Sequence, residues 1–427
     1  MRKMISYLAK FYAHKIVRNS MRNSMRLAPS NFKREPKNKK YMLYAHVPFC
    51  HTFCPYCSFH KFYYQSELCK EYFKNLRLEM TQIARLGFKF DSLYVGGGTT
   101  LIDEDELIKT LELAKKLFDI DEISCESDPN HIDAQNLARF KGLINRLSVG
   151  VQSFNDEILK KVGRFDKFGG SEVLLEKLSK AIGILPTFSL DLIFNFPFQS
   201  ELDFREDIKK AKSIGADQYT FYPLMKSPLM RDKIAKSLGV SSKDNEEKFY
   251  KIIRESFRDF AKNNAWSFSK KEQNLKDEYI GENNEFVGIG SGAFSFLDGT
   301  LFVNAFDLND YSGLVKCEKS AVIAQCEFDK MQKIKYLFLN ELFNGEINIA
   351  KFDAKNSCEI LKVLRNEILL LKLSGAVKIS DGKIITSDFG DYLCVILMKE
   401  FYTGMDAIRA FFRDFSSKNK KEMMIKF

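Results

Sequence analysis

Between residues 41 and 222, six strand-like runs alternate with segments of helical length and period, and this alternation leaves few folds open. The strand candidates are 41–47, 92–95, 123–126, 146–151, 187–193 and 218–222. The helical ones are 68–86, 104–118, 134–142, 173–184 and 204–214. Strands joined by helices pair in parallel through right-handed crossovers, so the expected class is α/β with a barrel-like parallel sheet. Reactive groups in such sheets gather at the C-terminal ends of the strands.

After residue 222 the pattern loosens through a polar helical stretch, 248–262, and a Gly-rich turn, GIGSGAFSF, at 288–296. Helices are then expected at 330–342 and 358–373, a hairpin over 377–386 turning at Asp381-Gly382, and a long helix at 389–412. That order is winged-helix-like. The chain therefore reads as a basic N-terminal extension (1–40), a core barrel (41–300) and a small helical, winged-helix-like C-terminal domain (301–427); 427 residues, 45% of them apolar, suffice for this.

Three of the nine cysteines are close together. Cys50, Cys54 and Cys57 follow the first strand at Cys-x3-Cys-x2-Cys spacing, while Cys69, Cys125, Cys317, Cys326, Cys358 and Cys394 are scattered singly. Three thiolates on one loop suit three irons of a [4Fe–4S] cube and leave the fourth iron open to a small molecule. Zinc with His51 or His60 as fourth ligand is the alternative. An odd cysteine count in a long chain argues against a disulfide framework and for a reducing, cytoplasmic setting.

The net charge of +10 is concentrated at one end. Residues 1–40 hold twelve Lys and Arg against Glu35, a net of +11, so residues 41–427 sum to −1. Leu8, Phe11, Tyr12 and Ile16 share a helical face in this segment, with Lys10, Lys15 and Arg18 around it. A solvated tail, an arm closing over an anionic substrate, and peripheral contact with an acidic membrane surface all fit. No basic-aromatic recognition motif follows, so no nucleic-acid partner is expected, and the oligomeric state is unspecified.

Other candidate site residues stand at strand ends. Gly96-Gly97-Gly98-Thr99 follows the second strand, and its glycines let backbone approach a ligand without Cβ interference. Glu126 ends the third strand and suits ribose hydroxyls. Gln152 ends the fourth, and Arg164 lies on the next helical turn. Asp191 sits in the apolar run LDLIF, where an acid is costly unless it is paired or binds something. Tyr44 precedes the first cluster cysteine by six residues.

Taken in order, YAHVPFCHTFCPYCSF, VGGGTT, ESDPN, RLSVGVQSFNDEILKKVGR, DLIFNFP and GIGSGAFS resemble the radical S-adenosylmethionine (SAM) enzymes of the oxygen-independent coproporphyrinogen III oxidase and heme chaperone group. The resemblance spans 41 to the C-terminus. It implies a partial (β/α)6 barrel, a [4Fe–4S] cluster on Cys50, Cys54 and Cys57, and SAM on the open iron. One electron from a low-potential donor of flavodoxin or ferredoxin type then cleaves SAM to a radical that abstracts hydrogen. By position, Gly97, Gly98 and Thr99 match contacts to the methionine moiety, Glu126 and Gln152 to the sugar region, and Arg164 and Asp191 to further SAM contacts. Tyr44, the candidate catalytic residue, and Tyr56 match contacts flanking the cluster.

The chain also departs from the family pattern. The fourth cysteine of the oxidases is replaced by Phe59, and the proline after the glycines and threonine by Thr100. A histidine found in the chaperone branch after the arginine gives way to Phe165-Asp166, and the histidine of a Gly-Ala-His motif to Phe294. The leading expectation is oxidative decarboxylation of coproporphyrinogen III to protoporphyrinogen IX. A heme-binding or trafficking protein without oxidase turnover, and methyl or methylene transfer on heme or a lipid, are the alternatives.

Overall fold

The computed structural model describes Met4, 25–28, 32–225, 227, 230–239, 244–270 and 285–413. Its frame is a thirteen-stranded sheet: β1 (Met25–Leu27), β2 (Lys40–Val47), β3 (Lys89–Gly97), β4 (Glu122–Ser127), β5 (Arg146–Gln152), β6 (Thr187–Phe194), β7 (Gln218–Pro223), β8 (Ala261–Lys262), β9 (Ser267–Ser269), β10 (Phe286–Ile289), β11 (Phe294–Leu297), β12 (Thr300–Asn304) and β13 (Val322–Glu327). The spatial order is β1-β13-β12-β11-β10-β2-β3-β4-β5-β6-β7-β9-β8. Strands β2 to β7 are mutually parallel neighbours in chain order, which is the expected six-stranded α/β barrel sheet. Their residues are almost all buried, as helix-covered parallel strands require.

Local chemistry fixes the crossovers. Helix α1 (Ser66–Arg85) returns the chain from β2 to β3. In helix α2 (Glu104–Phe118) the Asp103 side chain accepts from the Glu106 N–H, acids fill the first turn and Lys115 and Lys116 the last. Helix α3 (Glu201–Ile214) starts with a reciprocal Ser200/Asp203 capping box and stops at Gly215 with φ +76°.

Several boundaries differ from the expectation. The helix expected at 134–142 ends at Ala138, and the stretch 248–262 is a helix only over Glu246–Ser256 before entering β8. The Gly-rich segment is not a plain turn: β10 pairs in parallel with β2, placing Gly288 opposite Tyr44, and the chain turns through 290–292 into β11. The sheet runs on to Glu327, so residue 300 falls at the start of β12, within an antiparallel hairpin. The end of the N-terminal extension also belongs to the core. β1 pairs with β13, and buried Arg34 donates to the Gly288 carbonyl (2.7 Å) and pairs with buried Glu79 (3.1 Å). The amphipathic face from Leu8 to Ile16 lies outside the described residues.

The C-terminal region opens with the helix Lys330–Phe343. Instead of one helix at 358–373 it has two short ones, Ile360–Val363 and Arg365–Leu373, preceded by a further helix, Ile349–Asn356. The hairpin Val377–Ser380/Lys383–Thr386 gains a third strand, Glu346–Asn348, and the helix Asp388–Arg413 follows. Among the described residues no helix is long and apolar enough to cross a membrane.

Candidate active site

The twelve residues singled out in the sequence converge. Tyr44, Cys50, Cys54, Tyr56, Cys57, Gly97, Gly98, Thr99, Glu126, Gln152, Arg164 and Asp191 all line one cavity of about 250 Å³ at the C-terminal ends of β2 to β7.

The loop after β2 carries the three thiols. The Cys57 N–H donates to the Cys54 carbonyl (3.2 Å), and Arg164 reaches across with Nη1 at 3.8 Å from Cys54 Sγ. Burial, then the neighbouring Cys57, push the Cys50 thiol up to about 11, a cost that binding a cationic iron reverses. Arg164 is buried, donates to the Gly150 carbonyl, and stacks over Phe168 at 4.3 Å; its Nε has no protein partner. A buried guanidinium beside a thiol, with an unused donor, suits an anionic thiolate cluster and the polar ligand next to it.

Tyr44 is oriented from behind. His46 Nε2 lies 3.0 Å from the His60 carbonyl, which can only accept, so Nε2 carries the proton and Nδ1 is the acceptor. The Tyr44 hydroxyl therefore donates to Nδ1 (2.8 Å). Burial holds His46 down to about 4, so the ring is neutral and this arrangement is fixed at physiological pH.

The glycine run also has a second role. The N–H groups of Gly98 and Thr99 donate to the carbonyls of Val47 and Phe49 (both 2.8 Å), and that of Gly97 to Glu126 Oε2 (3.1 Å). A Cβ at Gly98 would collide with the Phe49 carbonyl. These glycines thus let the end of β3 grip the backbone of the cysteine loop, and they form cavity wall in doing so.

Glu126 accepts from Tyr94 (3.0 Å) and Gly97, and burial, against those bonds, pushes its carboxyl up to about 7. Thr99 donates to Asp128 (3.0 Å), and Ser148 to Asp191 (2.6 Å). Gln152 has φ +73° at an irregularity in β5, and a Cβ on Gly150 would meet its amide, so the strand end is shaped around this side chain. Tyr56 packs edge-on to Phe196, and burial, then Cys54, keep its phenol protonated.

Sequence reasoning missed part of the lining. Tyr94 and Asp128 stand two residues before Gly96 and two after Glu126, so strand alternation was the available signal. Tyr402, Asp406 and Arg409 come from the helix Asp388–Arg413, which roofs the cavity. Arg409 pairs with buried Asp406 (2.6 Å) and lies over Phe59 and Phe294, at 5.1 and 5.5 Å. No local motif marks these residues.

A six-stranded parallel barrel with a three-cysteine loop at its mouth defines a class, and residues 44–211 match the radical SAM superfamily. The chain is similar to heme chaperone HemW of Bacillus subtilis (strain 168), 30% identical over 286 residues that cover 64% of this chain and 75% of the relative. It is also similar to the oxygen-independent coproporphyrinogen III oxidase of Escherichia coli (strain K12), 31% identical over 190 residues, 42% of this chain and 41% of that one. In fold it resembles the solved coproporphyrinogen III oxidase (HemN) of Escherichia coli: TM-score 0.68 at 21% identity, covering 85% of this chain and 90% of that one. The chain belongs to the radical SAM family that contains these heme chaperones and coproporphyrinogen oxidases, and its cofactors are a [4Fe–4S] cluster and SAM. The zinc alternative falls with that assignment.

Proposed function

We propose that Cys50, Cys54 and Cys57 ligate the cluster, that SAM lies between it and Glu126, Gln152, Arg164 and Asp191, and that the protein acts on a tetrapyrrole. The observation that carries this is the convergence of all twelve residues on one roofed cavity. When bound, the two cofactors supply one-electron cleavage of SAM and a carbon-centred radical that abstracts hydrogen. The chain's own groups prepare that chemistry. Tyr44 is held at the cavity wall by His46, and Thr99 is turned by Asp128 beside Cys50. Glu126, whose carboxyl burial pushes up to about 7, accepts from ligand hydroxyls. The roof, with Arg409 already neutralised by Asp406, excludes water and faces substrate with little net charge.

Oxidative decarboxylation of coproporphyrinogen III is the first reaction to test. Heme binding without oxidase turnover is the second reading, favoured by Phe59 in place of a fourth cysteine and by the similarity to a relative named as a heme chaperone. Reconstituted, reduced protein incubated anaerobically with SAM and coproporphyrinogen III yields methionine, 5′-deoxyadenosine and a product lighter by two CO2 and four hydrogens in the oxidase case. Heme retained unchanged, with the porphyrinogen also unchanged, selects the chaperone reading.

A further inference from the structure

Thr99 ties two parts of the cavity wall together. Its N–H donates to the Phe49 carbonyl (2.8 Å), which fixes its side chain beside the next residue, Cys50, with the hydroxyl oxygen 3.9 Å from Sγ. The same oxygen lies 3.0 Å from Asp128 Oδ2, and both Thr99 and Asp128 are buried. A hydroxyl has a single proton, so it donates to the carboxylate or to the sulfur and not to both.

The surroundings of Asp128 decide between the two acceptors. A carboxylate only accepts; Oδ1 takes the Asn130 N–H (3.0 Å), and the Lys167 ammonium stands 3.8 Å from Oδ2. The Thr99 proton therefore lies toward the nearer, ionised oxygen, and Cys50 Sγ receives none from Thr99. A hydrogen bond withheld from a cluster sulfur leaves more negative charge on it and lowers the reduction potential of the iron.

We infer that Asp128 is a positioning residue that holds the Thr99 hydroxyl proton off Cys50 Sγ and so keeps the cluster a strong reductant. The inference rests on the proposed ligation by Cys50, Cys54 and Cys57. The direction of the hydrogen bond can be reversed by one isosteric change. In Asp128→Asn the amide oxygen must stay on the Asn130 N–H, which turns the amide NH2 toward the Thr99 oxygen. That oxygen then accepts, and its own proton is left for Cys50 Sγ.

The test is a redox titration of the anaerobically reconstituted full chain, without SAM, followed by electron paramagnetic resonance, with iron counted in each form. Asp128→Asn raises the equilibrium constant for cluster reduction about tenfold, which is about 59 mV for one electron. Thr99→Val leaves that constant within about twofold of wild type, because Cys50 has no bond from Thr99 to lose. In the double variant Asp128→Asn/Thr99→Val the rise shrinks to below about threefold, since only the removed charge acts. Iron stays at the wild-type level in all three. An unchanged constant in Asp128→Asn overturns the inference, and so does a fall of about tenfold in Thr99→Val, which places the proton on Cys50 from the start. An equal rise with and without Thr99 makes Asp128 a simple charge and overturns it too, as does iron lost from Asp128→Asn, which makes the residue a structural support of the loop. A wild type that takes up no iron overturns the ligation reading instead.

Discussion

The wall and the roof of the cavity are built by different means. The wall comes from the ends of successive parallel strands, so each of its residues stands on or after a buried strand that a crossover helix follows. The roof is one face of the helix Asp388–Arg413, carried to the barrel mouth by a separate three-stranded, helical unit. A residue on the wall is placed by its own strand. A residue on the roof is placed only by packing between units distant in sequence, and this predicts separable losses.

The largest contrast is in metal content. Cys54→Ala should lower iron from about four per chain to near none after anaerobic reconstitution, whereas Tyr402→Ala on the roof keeps it. Iron loss in Tyr402→Ala would show that roof and wall form one unit. Next is the roof's ion pair. Arg409→Ala strands buried Asp406 and should cost about 3–5 kcal/mol in urea unfolding, while the paired replacement Asp406→Leu/Arg409→Leu recovers most of it.

On the wall, Glu126→Ala should weaken SAM binding by about 1–3 kcal/mol, measured calorimetrically, with iron content intact. The smallest effect is the pH response of the same residue in cluster-free protein. Its native carboxyl titrates at about 7, above the ordinary 4.5, so its contribution to stability is fully present below 4.5 and is lost as pH rises through 7. Glu126→Gln lacks this loss. Its Tm relative to wild type should rise by about 2–4 °C between pH 5 and pH 8 in scanning calorimetry. A pH-independent difference would mean that Glu126 titrates normally.

Much of the wall was legible because strand period and cysteine spacing are local properties. Cys50, Cys54 and Cys57 lie within eight residues, and Glu126, Gln152 and Asp191 each sit near a strand end bounded by recognisable helices. One role of the glycine run was not legible. Gly98 reads as a ligand cradle from the sequence, and the adjacent Phe49 carbonyl, 49 positions earlier in the chain, shows that it also grips the loop.

By itself, the sequence determined the parallel barrel sheet, the family and most residues of the wall, because each depends on periods and spacings that the covalent chain imposes over short distances. Only the tertiary structure decided that residues 25–28 and Arg34 complete the core, that the sheet continues to Glu327, and that Arg409 lies over Phe59 and Phe294. Those contacts join positions tens to hundreds of residues apart. They form because apolar faces and buried charges must find partners in the folded molecule, and nothing local in the chain names which partner that will be.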